Sequence, residues 1–187
     1  YGEFDFRYHY KEIRKINDFI KERGHLSGLH ASRLAYKSKK RLNNEIRRVN
    51  RQGIQVKFNR NHYLMFDVLK SWKILDSEKI MYDLTLGFPE MIGFRCGICY
   101  PYKTFDLLNR KKLELIEIPL IIMDVSLTDY MSKYSIKDKK IISFKIIDQV
   151  KKYNGTLNVL IHNNNYYDYK ETDNEILISE IINYAKK

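Results

Sequence analysis

The sequence is poor in the residues that build disulfide frameworks, collagen-like repeats and flexible linkers. Among its 187 residues are only 2 cysteines, 3 prolines and 8 glycines, which excludes a disulfide scaffold and a low-complexity protein. It has no run of about 18 or more apolar residues, so no transmembrane helix is predicted. No signal peptide is recognisable, and a location in the cytoplasm or at the cell envelope is left open.

The two cysteines, Cys96 and Cys99, form a C-x-x-C pair, a spacing found in zinc sites and redox centres. One such pair cannot complete a four-thiolate zinc site. The glycines, aromatic residues and proline around the pair indicate a shaped loop. We therefore interpret these thiols as incidental to function.

Acidic residues are scarce relative to basic ones, 23 against 34, which gives a formal net charge of +11. Such an excess is typical of proteins that bind nucleic acids or anionic surfaces. Much of it falls in residues 33–51, where apolar residues recur at helical spacing and predict a helix with solvated charges. Because no nucleic-acid-binding motif accompanies the charge, nucleic-acid binding is kept only as a third alternative.

Hydrophobic residues make up 44% of the chain and charged residues 30%, a composition typical of a globular protein. Helical and extended patterns alternate, which predicts an α/β fold. The predicted helices span residues 11–23, 33–51, 68–77, 139–153 and 174–186, and the predicted strands span residues 26–30, 55–58, 82–86, 117–125 and 156–162. Because no linker or internal repeat is visible, we predict a single domain over residues 1–187.

Polar side chains with functional potential lie within or just after the predicted strands. They are His30, His62, Asp83, Arg95, Asp124 and His162. In a barrel of parallel strands, the loops that build active sites gather at the carboxyl-terminal edge. We therefore expect these side chains to serve one site.

Three segments resemble motifs of one known family. Residues 24–30, G-H-L-S-G-L-H, resemble the G-H-E-[IL]-G-x-H segment of the NodB-homology polysaccharide deacetylases, carbohydrate esterase family four. Gly93-Phe94-Arg95 with Pro101-Tyr102 resembles an expanded form of the Arg-x-Pro-Tyr loop of that family. Residues 160–163, L-I-H-N, resemble its late histidine motif. Order and spacing match across most of the chain.

The resemblance implies a fold and an activity. The fold would be an incomplete or distorted (β/α) barrel of the polysaccharide deacetylase type. The activity would be metal-dependent removal of acetyl groups from a polysaccharide, an oligosaccharide or an acetylated amino sugar. The implied cofactor is a divalent metal, with Zn²⁺ the expected ion.

The resemblance also implies roles for individual residues. His30 is expected to be a metal ligand. Leu34 stands where the family has its second histidine ligand, and His62 is expected to replace it, because residues 60–64, R-N-H-Y-L, resemble a divergent subgroup. His162 is expected to be the general acid, held by the Asp124 carboxylate.

Three further residues complete the expected site. Arg95 is expected to pair with a catalytic carboxylate or a substrate oxygen through its fork of donors. Tyr102 is expected to bind substrate, with a backbone N–H nearby stabilising the oxyanion. Asp83 is expected to bind substrate or metal, the alternative being a structural role.

One feature of the family has no counterpart in the sequence. Family members carry an Asp-Asp pair on their first strand, and no adjacent acidic pair precedes His30 here. We expect that strand to lie upstream of Tyr1. The alternative is a catalytically inactive module that keeps the barrel and its sugar-binding groove.

Overall fold

The computed structural model of the chain describes residues 10–163 and 173–187. Two compact units are distinguished: unit 1 comprises Tyr1–Thr85 and Tyr102–Glu117, and unit 2 comprises Leu86–Pro101 and Ile118–Lys187. Such units need not fold independently, so the interpretation of the chain as a single domain stays a prediction. Each unit is described by itself.

Unit 1 is built on a five-stranded sheet with the strand order β1-β2-β3-β5-β4. Strands β1, β2, β3 and β5 are parallel, and β4 runs antiparallel to β5. The strands are β1 (Leu29–Ala31), β2 (Phe58–Asn61), β3 (Tyr82–Asp83), β4 (Tyr102–Asp106) and β5 (Lys111–Glu117). The helices are α1 (Tyr10–Glu22), α2 (Lys39–Asn50) and α3 (Ser71–Ser77).

Helix α2 illustrates how the sequence sets the elements of unit 1. The Ser38 hydroxyl accepts a hydrogen bond from the Arg41 N–H and caps the first turn. Leu42 and Ile46, one turn apart, are buried in a core shared with Val56, Leu75 and Leu115. The basic residues of α2 therefore lie on the opposite, solvated side, as the sequence predicts.

Unit 2 has a short parallel pair of strands, β6 (Ile122–Met123) and β7 (Val159–Leu160). A π-helical segment, Ser126–Tyr130, follows β6. The two helices are α4 (Ile136–Lys152), capped by Ser135, and α5 (Asp173–Lys186). Ile147 of α4 and Leu177 and Ile181 of α5 are almost fully buried in the core of this unit.

Three sequence-based predictions of local structure are wrong. The strand predicted over residues 55–58 lies instead over Phe58–Asn61, because its polar residues 59–61 suggest a turn in the sequence. Residues 117–125 do not form one strand: β5 ends at Glu117 and β6 begins at Ile122. Pro119 lies between them and has no N–H to donate to a ladder. Tyr102, expected in a loop, begins β4 instead, because charged residues along β4 and β5 obscure the hairpin in the sequence.

The predicted α/β class is confirmed, since helices alternate with a mainly parallel sheet. In the residues that the structure describes, neither sheet closes on itself, so the barrel stays a prediction. None of the described helices is both long and apolar enough to span a membrane.

Gly155, just after α4, provides a steric test of the unit 2 core. A Cβ at this position would overlap Cys99 Sγ and lie 2.9 Å from the Cys99 carbonyl oxygen. That carbonyl accepts the Thr156 N–H at 2.7 Å, so it cannot move freely. We expect Gly155→Ala to lower the free energy of unfolding by about 1–3 kcal/mol in urea titrations. Cys99→Ala added to this variant should restore part of the loss; an undiminished stability of Gly155→Ala would contradict the packing described.

Candidate functional site

Two histidines meet where β1 and β2 end in unit 1. His30 lies in β1 opposite Arg60 of β2, and His62 follows β2 directly. Their ring centroids are 5.0 Å apart and their planes are inclined by 37°. His30 Nδ1 lies 2.9 Å from the Arg60 carbonyl oxygen. Because a carbonyl only accepts, Nδ1 carries the proton of the neutral ring, and the lone pair is at Nε2.

The spacing of this histidine pair suits two ligands of one divalent ion. With Zn–N bonds of about 2.0–2.1 Å, two bound imidazoles at right or tetrahedral angles have centroids about 4.6–5.3 Å apart. The observed 5.0 Å falls in this range. A carbonyl on Nδ1 is also the usual outer contact of a metal-binding histidine. Within residues 10–163 and 173–187, no three His, Cys, Asp or Glu side chains are grouped to hold an ion, and the ligand roles of the pair stay predictions.

The backbone directly after His62 is strained. Tyr63 and Leu64 have φ angles of 56° and 51°, a left-handed conformation that non-glycine residues seldom adopt. The Asn61 carboxamide spans this turn by donating to the Met65 carbonyl at 3.0 Å, and Leu64 is buried. Strain of this kind persists only where the surroundings impose it, and it concentrates at functional sites.

A buried polar cluster lies in the same sheet. Its members are at most 1% exposed and are Asn59, Asn61, Asp83, Thr85 and Glu117. Asp83 Oδ1 accepts from the Thr85 hydroxyl at 2.6 Å and from Asn59 Nδ2 at 3.0 Å. Glu117 Oε2 accepts from Trp72 Nε1 at 2.9 Å. These bonds satisfy most of the polar atoms in the cluster and fix the register of β2, β3 and β5.

Asp83 and Glu117 are register partners on β3 and β5. Both carboxyl groups are fully buried, and two such groups side by side disfavour the form in which both are ionised. Burial raises the pKa of Asp83, although hydrogen bonds with Thr85, Asn59, Glu117 and the Leu84 N–H oppose this shift. The Arg60 guanidinium lies near both carboxyl groups and offsets part of their negative charge.

Arg60 connects this cluster to the histidines. Burial lowers the pKa of its guanidinium, while the charges of Asp83 and Glu117 act in the opposite direction. Its Nε donates to the Leu84 carbonyl at 3.1 Å, and its own carbonyl accepts from His30 Nδ1. The side chain of Arg60 thus fixes the strand end whose backbone orients a candidate ligand.

Unit 2 contains a second polar pair at the ends of parallel strands. Asp124 follows β6, His162 follows β7, and His162 Nδ1 lies 2.7 Å from Asp124 Oδ1. The buried carboxylate also accepts the backbone N–H of His162 at 2.7 Å and that of Val125 at 2.8 Å. The imidazole side chain is 38% exposed. This arrangement places the Nδ1 proton between ring and carboxylate and leaves Nε2 as the atom available for proton exchange.

No family model, curated protein or solved structure matches the chain significantly. Its site is therefore interpreted from its own geometry. The two pairs that sequence reasoning assigned to ligand and acid roles each form in the structure, His30 with His62 in unit 1 and Asp124 with His162 in unit 2. Their roles stay predictions.

The remaining candidate residues, Arg95, Tyr102 and Asp83, belong to neither pair. Arg95 Nη1 donates to the Gly87 carbonyl at 2.8 Å, which anchors the loop that carries it. Tyr102 is half-buried in β4 with its ring edge-on to Trp72, at a centroid distance of 6.2 Å. Asp83 has no exposed surface. The substrate-related roles of these three residues stay predictions.

Sequence reasoning missed the buried members of the polar cluster other than Asp83. Asn59 and Asn61 alternate along β2 and so lie on one face, where Asn59 Nδ2 donates to Asn61 Oδ1 and to Asp83 Oδ1 of the neighbouring β3. The spacing of two residues between the asparagines was a usable signal that both lie on one face of a strand. Their burial was not predictable from it, because polar residues in a strand usually face solvent.

Asp83→Asn tests whether Asp83 is protonated. An asparagine can accept from Thr85 and Asn59 through its carbonyl oxygen and, like the protonated acid, carries no charge. A carboxyl group whose pKa is higher in the folded state than in the unfolded state contributes its full stabilisation at a pH below the unfolded-state pKa. This contribution is lost as the pH rises through the folded-state pKa. We therefore expect the free energy of unfolding of Asp83→Asn, measured in urea, to match or exceed that of the wild type near neutral pH. On acidification the wild type should gain stability relative to the variant.

Asp83→Leu provides the contrast, since it removes the acceptor for two buried donors. It should destabilise the protein by about 1–3 kcal/mol or more. An Asp83→Asn variant as unstable as Asp83→Leu at neutral pH would show that Asp83 is ionised.

Proposed function

We propose that this chain is a metal-dependent hydrolase that removes acetyl groups from a polysaccharide or an acetylated amino sugar. The observation that carries the proposal is the histidine pair, His30 and His62, with ring centroids 5.0 Å apart and the Nδ1 of His30 held by a carbonyl. Imidazoles arranged in this way are suited to share one divalent ion. The family resemblance of the sequence motifs supplies the substrate class.

The proposal includes a (β/α) barrel of the polysaccharide deacetylase type. Unit 1 supports it with the order β1, α2, β2, α3, β3, in which consecutive parallel strands are adjacent and are joined through helices. This is the repeating unit of such a barrel. His30, at the end of β1, and His62, just after β2, then lie at the edge where barrel enzymes bind substrate.

Each residue has a defined task in the proposed reaction. Lewis-acid polarisation of the acetyl carbonyl is the chemistry that an ion such as Zn²⁺ supplies when bound. His30, through Nε2, and His62 would hold that ion. Water adds to the acetyl carbon, the bond from that carbon to the sugar nitrogen or oxygen breaks, and acetate leaves. His162 protonates the departing sugar amine or alkoxide from Nε2. Asp124 keeps the other ring nitrogen oriented and balances the positive charge that the ring gains with a second proton.

The ligand assignment is tested by metal content. We expect His30→Ala and His62→Ala each to weaken Zn²⁺ binding at least about tenfold, because each removes one of the two imidazole ligands. Equilibrium dialysis with metal analysis of the whole protein provides the measurement. His25→Ala is the matched control, since His25 is exposed and belongs to neither pair. Unchanged Zn²⁺ affinity in both ligand variants would reject the metal site.

The acid assignment is tested by turnover. His162→Ala should lower kcat for acetate release from acetylated oligosaccharides by about 10²–10⁴-fold while leaving the Zn²⁺ content unchanged. Asp124→Asn should also lower kcat, because it loses the charge that balances the protonated ring. Full activity of His162→Ala would remove His162 from the mechanism. A wild-type protein that binds these sugars without releasing acetate would instead be the non-catalytic module.

A further inference from the structure

The hairpin between β4 and β5 carries adjacent apolar side chains at its tip. Leu107 and Leu108 are 50% and 62% exposed, and Phe105, near the end of β4, is 39% exposed. Single exposed apolar residues are ordinary, but neighbouring ones on a projecting turn form a continuous apolar surface. Such a surface is typical of a contact with a partner.

The turn that presents the leucines is held in one conformation. The buried Asp106 carboxylate accepts the backbone N–H of Leu108 at 3.1 Å, that of Asn109 at 3.0 Å and the Asn109 side-chain amide at 2.6 Å. Lys73 Nζ lies 3.8 Å from the same carboxylate. Because the turn is already ordered, docking through it loses little conformational entropy.

Three consecutive cations follow the leucines. Arg110, Lys111 and Lys112 are exposed, and in the part of the chain that the structure describes none of them forms an ion pair. The nearby Lys103, by contrast, binds Glu114 at 2.7 Å. The hairpin tip, residues 105–112, thus combines apolar side chains with unneutralised positive charge.

We propose that this hairpin tip docks the protein on the surface of a membrane that contains anionic lipids. Leu107 and Leu108 would enter the boundary between headgroups and acyl chains, with Arg110, Lys111 and Lys112 contacting lipid phosphates. Lys111 and Lys112 are consecutive in β5, so they point to opposite faces of the strand. A flat protein surface meets one face, whereas a fluid lipid surface surrounds the tip and meets both.

This docking is reversible and depends on charge. A Lys or Arg beside an anionic membrane strengthens partitioning about fivefold at low ionic strength, and salt screens the effect. Leu107 and Leu108, partly buried in the membrane, add a hydrophobic contribution to the binding free energy that salt does not remove. The inference concerns peripheral attachment and is independent of the proposed deacetylation.

The experiment measures partitioning of the whole protein onto vesicles by co-sedimentation. Vesicles of phosphatidylcholine alone are compared with vesicles that also contain phosphatidylglycerol. We expect binding to the mixed vesicles only, a reduction of about tenfold or more for Leu107→Ser/Leu108→Ser, and a similar reduction for Lys111→Gln/Lys112→Gln at low ionic strength.

Matched controls separate the hairpin tip from the overall positive charge. Val68→Ser/Leu69→Ser removes another adjacent exposed apolar pair of unit 1, and Arg47→Gln/Arg48→Gln removes two charges from α2. Both should leave partitioning within about twofold of the wild type if the tip is the docking site. The proposal fails if the leucine variant binds normally, if the α2 variant loses as much as the hairpin variants, or if the tip variants abolish self-association in sedimentation velocity rather than vesicle binding.

Discussion

Two carboxyl groups in the interior of a sheet cannot both remain charged, and in unit 1 this constraint links the core to the histidines. Asp83 and Glu117 are register partners with fully buried carboxyl groups, and the Arg60 guanidinium offsets part of their charge. The carbonyl of the same arginine binds His30 Nδ1, and His62 lies two residues further along. The balance of buried charge therefore bears on the position of both rings.

The two polar pairs use different acceptors to orient an imidazole, and the difference suits different chemistry. The acceptor for His30 is a neutral backbone carbonyl, which fixes the tautomer of an uncharged ring, the form that binds metals. The acceptor for His162 is the Asp124 carboxylate, which can also balance the charge of a doubly protonated ring. The two local geometries therefore differ in whether a charged ring is stabilised.

The sequence was most informative about polar residues at the ends of consecutive parallel strands. Parallel strands share an edge, so His30 and His62 at consecutive strand ends could be placed together in advance, as could Asp124 and His162. The partners that hold them could not. Glu117 was assigned to the start of a strand that the structure splits at Pro119, and its burial depends on Trp72 and Asp83, which are distant in sequence. The hairpin of β4 and β5 was missed because its charged residues obscure the alternation of apolar and polar side chains that indicates a strand.

The turn after His62 makes the position of this candidate ligand depend on the packing of the hydrophobic core. Leu64 keeps a left-handed backbone although glycine would adopt it more easily, and its side chain is only 7% exposed. Burial of this side chain thus offsets the conformational penalty of the bend. Laboratory selection for heat tolerance, which favours relaxed backbones and repacked interiors, would therefore tend to shift the imidazole next to it before the fold is lost.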